Sequence, residues 1–264
     1  MPVQSELNAA VTIFGRDVLR FVREWKNSLA FSLFFPLAFL GILGGTIGQN
    51  LGAGLGYDYM QFALLGMAAS LVIQTTMMNV TSLVEERETG FTQEIFVSPV
   101  SRYSIIVGKI AGSSFQSVVQ LFVLFLVALA IGIPLGLTGV GLILVVTPVV
   151  LLLGGSLGIL LCGIFGSNPK AADQGVIMII FPQLFLSGAL IPIRNSTGVL
   201  GVLAHLMPLT YLVDLLRGVF YQGTPTYSQV VLYSPLVDLA VAIVLSLAFL
   251  VAGTFLFVRG ERNR

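Results

Sequence analysis

Charged side chains are scarce in this chain. Only 9% of its 264 residues are Asp, Glu, Lys or Arg, whereas 56% are apolar and the mean hydropathy is +0.98. Soluble domains carry about 25% charged residues, so this composition excludes a water-soluble protein and indicates one that is dissolved in a lipid bilayer. The formal net charge of +1 indicates no basic surface, and we expect no nucleic-acid partner.

Cysteine and histidine occur once each, as Cys162 and His205. A single cysteine excludes a disulfide framework, and one residue of each type cannot build a Cys/His metal site. Around His205 the sequence places no Ser, Cys or carboxylate arrangement that would support a nucleophile. We therefore expect no metal site and no catalytic residues, and a packing role for both side chains.

Long uncharged runs take the place of the missing charges. They predict six membrane-spanning helices, at residues 28–48, 59–84, 105–132, 140–165, 174–191 and 236–258. About 20 helical residues cross a hydrocarbon core of about 30 Å, so these runs have the length that a bilayer requires. Residues 1–264 then form a single transmembrane domain.

Residues 4–26 predict an amphipathic helix at the membrane surface. Apolar residues recur at steps of three and four from Leu7 to Trp25, while Arg16, Arg20 and Arg23 form a basic stripe on another face. We expect the apolar face to enter the cytoplasmic leaflet, where the arginines meet lipid phosphates. The alternative is a helix packed on a soluble domain, but the sequence contains no such domain.

The distribution of basic residues predicts the orientation. Of the 13 Lys and Arg, only Arg194 and Arg217 fall on the outer side of a six-span arrangement, which leaves eleven on the inner side. The positive-inside rule then places both termini in the cytoplasm. Residues 192–235 are interrupted by Pro208, and a seventh crossing would carry the basic tail outside, so broken re-entrant helices at the outer face are predicted. The predicted fold class is an all-α membrane protein with six transmembrane helices.

A polar segment from Glu85 to Lys109 follows the second span. Four carboxylates and three bases, too mixed for a metal site, surround a short amphipathic piece that carries Phe91 and Phe96. Such a piece can place two aromatic side chains in a hydrophobic cleft of a partner while the charges fix its register. The pattern alone fits a solvated loop with incidental charges equally well.

A family resemblance decides between these readings. The strings Glu85-Glu86-Arg87-Glu88-Thr89-Gly90, Ser98-Pro99-Val100-Ser101-Arg102 and Gly108-Lys109 resemble the cytoplasmic coupling loop of ABC-2 type transporter permeases. Residues 185–192 and 207–218 resemble the outer end of the fifth span in the daunorubicin and multidrug exporter branch. With the six spans and the amphipathic start, the resemblance covers most of the chain.

The resemblance implies a half-transporter. Two such permeases form a dimer, and each contacts a separate ATPase subunit that binds the coupling loop, here residues 85–104. It marks as candidate coupling residues Glu85, Glu86, Arg87, Glu88, Gly90, Phe91, Glu94, Phe96 and Arg102. ATP and Mg²⁺ would bind to the partner, because this chain contains no Gly-x-x-x-x-Gly-Lys-Ser/Thr motif. We therefore expect neither ATP hydrolysis nor a cofactor in this chain.

Few polar residues are available for a substrate path within the spans. The candidate lining residues are Phe34, Phe35, Met67, Gln74, Met77, Met78 and Asn79, although such side chains also serve in helix packing. Asp214 and Arg217, three residues apart on the predicted outer helix, are expected to form an exposed pair that closes an outer gate.

These features predict an exporter in a bacterial cytoplasmic membrane, with a permease homodimer that contacts membrane lipid. The expected substrate is a hydrophobic or amphipathic small molecule such as a drug, natural product or lipid. Export of a lipid-linked polysaccharide is the alternative within the family, and aromatic side chains grouped along the spans would favour it. An ion-coupled carrier or an intramembrane enzyme would need buried titratable groups or a catalytic set, and the spans contain no obvious candidates.

Overall fold

The computed structural model describes residues 3–88, 102–166, 168–194 and 196–262. Throughout these ranges the regular structure is α-helical, which confirms the predicted fold class. The helices are α1 Val3–Leu55, α2 Tyr59–Glu88, α3 Arg102–Ala130, α4 Leu137–Phe165, α5 Pro169–Leu186, α6 Gly198–Leu206, α7 Pro208–Phe220, α8 Tyr227–Val230 and α9 Pro235–Arg262.

Within the described ranges, five stretches are long and apolar enough to cross a bilayer, in α1, α2, α3, α4 and the segment that contains α9. The pair α6 and α7, bent by 79° at Met207–Pro208, would make a sixth if it were counted as one span. Proline at the first position of α7 suits a helix start but cannot continue the preceding helix. The broken helices predicted for residues 192–235 are therefore present.

The first helix differs from the prediction. Residues 4–26 and 28–48 were expected to form two separate helices, but α1 runs without a break from Val3 to Leu55. No glycine or proline stands between Gly15 and Pro36, so nothing in the sequence ends the helix near Lys26. A helix of 53 residues is about 80 Å long, which is more than twice the hydrocarbon thickness, so part of α1 must lie outside the hydrocarbon core.

The fifth predicted span also differs in its extent. Residues 174–191 were expected to span the membrane, but α5 begins at Pro169, ends at Leu186 and is not among the five candidate spans found in the described residues. Asn168 accepts a hydrogen bond from the backbone N–H of Ala171 at 3.1 Å and thereby caps the start. At the other end, Gly188 has a φ of +82°, a left-handed conformation that stops the helix and starts the irregular segment 187–194.

Helix α2 is the centre of the bundle, since it contacts α1, α3, α4, α5 and α7. Small residues let its neighbours approach: a Cβ at Gly154 of α4 would lie 3.0 Å from the carbonyl oxygen of Ile73.

Ion pairs that involve Lys109 mark one end of the bundle, and the guanidinium of Arg217 lies at the other. We refer to these as the Lys109 end and the Arg217 end.

Candidate functional site

Polar side chains join α2 to α3 along a line that we call the polar seam. Along each helix they are separated by steps of four, three and four residues, so they share one face. The seam consists of Thr75, Asn79, Ser82 and Glu86 on α2 and of Lys109, Ser113, Gln116 and Gln120 on α3. Because the two helices are antiparallel, each step along α2 is matched by an equal step back along α3.

Hydrogen bonds connect the two sides of the polar seam. The Thr75 hydroxyl donates to Oε1 of Gln120 at 2.7 Å, and Nδ2 of Asn79 donates to Oε1 of Gln116 at 3.0 Å. Interhelical bonds of this kind contribute on average about 0.6 kcal/mol in a membrane protein. Their effect here is to hold a polar surface in a fixed register inside an apolar bundle.

An ion-pair cluster ends the polar seam at the Lys109 end. The Lys109 ammonium is 2% exposed and lies 2.6 Å from Oε1 of Glu86, 3.4 Å from Oδ2 of Asp17 and 3.1 Å from the Ser82 hydroxyl. Arg16 bonds to both Asp17 and Glu86, at 2.8 and 3.0 Å. The cluster thus ties α1, α2 and α3 together, and an almost fully buried ammonium requires these partners.

A cavity of about 340 Å³ lies beside the polar seam, between α1, α2, α3 and α5. Thr75, Asn79, Gln116 and Gln120 line its polar wall. Phe21 and Phe31 of α1 also line the cavity, next to the polar Ser28 and Ser32, and Phe31 is 78% exposed. The volume falls in the range of small-molecule pockets, about 300–1,000 Å³, and the mixed lining suits an amphipathic ligand.

Four carboxylates, those of Asp17, Glu24, Glu85 and Asp173, also line the cavity, together with Arg20. Asp173 stands on the first turns of α5, just before the residues that the sequence predicts to span the membrane. Partial burial and the negative charge of Glu85 raise the pKa of its carboxyl above the ordinary aspartate value. The carboxylates of Glu85 and Asp173 therefore line the same space.

The Arg217 end is packed closely. The Arg217 guanidinium is 4% exposed, donates to the carbonyl oxygens of Phe62, Gly188 and Ala189 at 2.9 to 3.0 Å, and stacks on the Phe62 ring. A Cβ at Gly66 would overlap the carbonyl oxygen of Ala189. The irregular segment after α5 is thus held directly against α2.

Comparison with known proteins places the chain in a family. Residues 8–221 match the family model described as "ABC-2 type transporter". The chain belongs to this family. Its relatives include the inner membrane transport permease YadH of Escherichia coli K12, which is 28% identical over 216 residues that cover 79% of this chain and 81% of YadH. Nodulation protein J of Rhizobium meliloti is 25% identical over 223 residues, 81% of this chain and 82% of that protein.

The protein is therefore the permease subunit of an ABC-2 type transporter, a multi-pass inner-membrane protein. A permease of this family is the transport subunit rather than the ATPase, and membership implies association with an ABC ATPase subunit. The expected placement in the daunorubicin branch stays a prediction, because the relatives reported above carry no such description.

The predicted coupling residues of the permease have different locations. Glu85 lines the cavity, while Glu86 has a side chain only 13% exposed and belongs to the ion-pair cluster. For Arg87 and Glu88, in the last turn of α2, and for Arg102, at the start of α3, the backbone alone is described. The remaining coupling candidates, Gly90, Phe91, Glu94 and Phe96, lie outside the described residues.

The predicted path residues of the permease also lie in different places, some at the cavity, some in the core and some at the surface. Met78 and Asn79 line the cavity. Met67 and Met77 are buried in the core of the subunit, at 1% and 0% exposure. Gln74 is half-buried, whereas Phe34 is 73% exposed and Phe35 packs with Phe39 at 4.5 Å between ring centroids and with Phe181 at 6.0 Å.

Sequence reasoning missed Thr75, Gln116 and Gln120. Two glutamines four residues apart in an otherwise apolar span provided a usable signal, because they must occupy one face of that helix. The matching spacing of Thr75 and Asn79 on the preceding helix would have completed the pattern.

The predicted pair of Asp214 and Arg217 is not exposed. Asp214 is 1% exposed, and its carboxylate accepts hydrogen bonds from the backbone N–H groups of Leu232 and Tyr233 at 2.8 and 2.7 Å. The two side chains face different partners: Arg217 contacts α2 and the segment 187–194, whereas Asp214 contacts the segment 231–234 between α8 and α9. Both charges are thus buried and stabilised by hydrogen bonds to the backbone, rather than by a solvated ion pair.

Proposed function

We propose that this permease exports a hydrophobic or amphipathic small molecule across a bacterial cytoplasmic membrane, with both termini in the cytoplasm. Two copies of a separate ATPase supply the driving force, and ATP and Mg²⁺ bind to those subunits. A second copy of the permease completes the pathway. The Lys109 end is then cytoplasmic and the Arg217 end faces outward.

The cavity beside the polar seam is the observation that carries this proposal. It lies toward the Lys109 end and combines polar groups with exposed Phe31, so that both parts of an amphipathic molecule find a suitable wall. The Arg217 end, by contrast, is closely packed, through the hydrogen bonds of Arg217 and the contact of Gly66 with Ala189. This asymmetry is what a transporter needs when it receives its cargo from inside and must open outward.

In this proposal, conformational changes of the ATPase are transmitted to the permease through the coupling loop, residues 85–104. Its two ends continue into α2 and α3, which the ion-pair cluster joins to α1. A displacement of the loop would therefore move three helices that line the cavity. Glu85, Arg87, Glu88, Gly90, Phe91, Glu94, Phe96 and Arg102 remain the candidates for contact with the ATPase, with Glu86 acting inside the permease. Asp214 and Arg217 remain the proposed outer gate.

Transport by the reconstituted complex tests the function. The permease and its ATPase are incorporated into proteoliposomes with the ATP-binding side outward, and uptake of a fluorescent amphiphile is followed with and without ATP. We expect uptake that requires ATP and disappears when the ATPase lysine of the Gly-Lys-Ser/Thr motif is replaced. Uptake driven by an ion gradient without the ATPase would refute the proposal, and uptake of a lipid-linked oligosaccharide instead of the amphiphile would favour the alternative substrate class.

Two aromatic residues test the coupling role separately. Phe91→Ala and Phe96→Ala should abolish ATP-driven uptake while membrane insertion and thermal stability of the permease stay unchanged, because these side chains are proposed to enter a cleft of the partner. Phe255→Ala serves as a control that should transport normally, since it removes an exposed aromatic side chain of α9 that belongs neither to the loop nor to the cavity lining. Wild-type transport in both loop variants would exclude the coupling role of the aromatic pair.

A further inference from the structure

A second buried carboxyl group lies beside Asp214, at the junction of α7 and α9. It belongs to Asp238, in the first turn of α9, and this residue is 0% exposed. Neither of its oxygens accepts a hydrogen bond from an N–H or O–H group of the described residues. A buried charge without such donors is strongly destabilising, and the favourable dipole at the start of a helix offsets only a small part of that cost. Asp238 therefore requires a neutralising partner.

The neighbouring Asp214 shows what that partner is. The two carboxyl groups lie within hydrogen-bonding range of each other. Asp214 already accepts hydrogen bonds from the backbone N–H groups of Leu232 and Tyr233, at 2.7 to 3.0 Å, and these stabilise it as an anion. Two ionised carboxylates can only accept hydrogen bonds and would repel each other, whereas a single proton turns the contact into a hydrogen bond. The pair is satisfied when it holds one proton.

The surroundings of the pair supply no other neutralising group within the described residues. Arg217, three residues after Asp214 on α7, directs its N–H groups to carbonyl oxygens of α2 and of the segment 187–194. Helix α4, which also packs on α9, carries no charged side chain. The imidazole of His205 packs on the Tyr233 ring. The other titratable groups near the pair are neutral phenols, those of Tyr211, Tyr227 and Tyr233.

An inorganic cation fits this place poorly. Such ions take six or more oxygen ligands, and the oxygens of Asp214 are already engaged by backbone N–H groups. Among the described residues no third His, Cys, Asp or Glu side chain joins the two aspartates to form a metal-binding group. A proton needs only the two carboxyl oxygens between which it lies.

We propose that Asp214 and Asp238 form a proton-binding site, a carboxyl–carboxylate pair that holds α7 against α9. Release of the proton to solvent would leave two anions in a space closed to water, and their repulsion would separate the two helices. Because α7 also carries Arg217, the close packing of the Arg217 end would loosen with it. Neither aspartate lines the cavity beside the polar seam, so the site goes beyond the proposed function and does not depend on it.

Infrared difference spectroscopy detects this proton directly, because the C=O stretch of a carboxylic acid is separate from the bands of carboxylates and amides. The complete permease–ATPase complex, at neutral pH in a detergent without ester groups, is compared with the Asp238→Asn variant. We expect the wild type to show one carboxylic acid band that the variant lacks. Asp58→Asn is the matched control and should keep the band, since Asp58 is exposed and asparagine still caps α2.

The proton also changes how stability depends on pH. Aspartates of an unfolded chain are ionised above about pH 5, so the folded protein binds one proton more and its stability falls as the pH rises. Between about pH 5.5 and 7.5, the unfolding constant of the wild type should rise about tenfold more per pH unit than that of Asp238→Asn, which is about 3–5 °C in Tm by circular dichroism. Asparagine donates an N–H to Asp214 without titrating, so the Tm of Asp238→Asn should exceed that of the wild type at the upper end of this range. Asp58→Asn should follow the wild-type profile.

Three outcomes would overturn the inference. They are identical infrared spectra of the wild type and Asp238→Asn in the carboxylic acid region, parallel pH profiles of their Tm, and a rise in the wild-type Tm with Na⁺ that Asp238→Asn lacks, which would place a metal cation at the pair. If Asp238→Asn does not fold, wild-type protein labelled with ¹³C at its aspartate carboxyl groups decides, because the acid band must then shift, and an unshifted or absent band refutes the site. Each of these results leaves ATP-driven export untouched, and failure of ATP-driven uptake leaves the proton site untouched.

Discussion

Replacement of Lys109 by methionine tests the ion-pair cluster most directly. Methionine keeps most of the side-chain length but removes the ammonium, so the carboxylates of Glu86 and Asp17 lose a cation at 2.6 and 3.4 Å. Breaking a buried ion pair by removing one partner costs about 3–5 kcal/mol. Glu86 keeps Arg16 at 3.0 Å, and both carboxylates retain 11–13% exposure, so we expect a loss of about 2–3 kcal/mol.

The single thiol of the protein provides the assay. Cys162 is 1% exposed, so a thiol-reactive fluorogenic dye labels it only as the detergent-purified protein unfolds. A loss of 2–3 kcal/mol corresponds to a decrease in Tm of about 5–10 °C for a chain of this size. Lys170→Met is the control, because Lys170 is an exposed lysine near the same end.

A double-mutant cycle separates the ion pair from general damage. If the ammonium and the Glu86 carboxylate interact as their distance indicates, Lys109→Met combined with Glu86→Gln should cost about 1–2 kcal/mol less than the two single changes added together. Equal melting temperatures for Lys109→Met and Lys170→Met, or strict additivity in the cycle, would refute the claim that this cluster holds α1, α2 and α3 together.

The same unfolding assay checks three further changes. Gly66→Ala should prevent correct folding, because its Cβ would overlap the carbonyl oxygen of Ala189. Gly41→Ala is the control and should be neutral or slightly stabilising, because a Cβ at Gly41 would meet open space. Equal effects of the two changes would contradict the packing at the Arg217 end. Arg217→Lys should decrease the Tm by several degrees, since an ammonium cannot reproduce the planar fork that serves three carbonyl oxygens, and an unchanged Tm would exclude that role. Gln120→Leu should cost about 0.6 kcal/mol by removing one bond of the polar seam, and a loss above about 2 kcal/mol would show that the seam matters more than average interhelical bonds do.

The sequence alone predicted the class of the molecule and much of its helix pattern. Long uncharged runs require a bilayer, and a bilayer requires helices or closed barrels, so an all-α membrane protein followed from composition and run length. Pro208 likewise predicted the break between α6 and α7, because proline cannot continue a helix. These inferences succeed because they depend on properties of single segments.

Helix ends were less predictable than the presence of helices. The change from amphipathic to apolar pattern near Lys26 suggested two helices, yet α1 is continuous, since a change of environment along a helix does not require a change of backbone. Conversely, α5 ends at Leu186 although apolar residues continue to Ile191, because Gly188 adopts a left-handed conformation and Arg217 binds the freed carbonyl oxygens.

The functional groups depended most on the tertiary structure. From the sequence, Glu86 was one of several charges in a polar loop, and Asp214 and Arg217 were expected to be an exposed pair. Only the packing of α1, α2 and α3 places Arg16, Asp17 and Lys109 around Glu86, across sequence separations of up to 93 residues, the span from Arg16 to Lys109.

Composition and local pattern thus determined the solvent of this protein, its helical class and its family likeness. Each of these depends on residues that lie close together in the sequence, within one span or less. The cavity, its mixed polar and apolar lining and the close packing at the Arg217 end were decided by the tertiary structure. The physical reason is that a cavity is the space left between helices, and its charge is a sum over side chains that approach one another only when the bundle has packed.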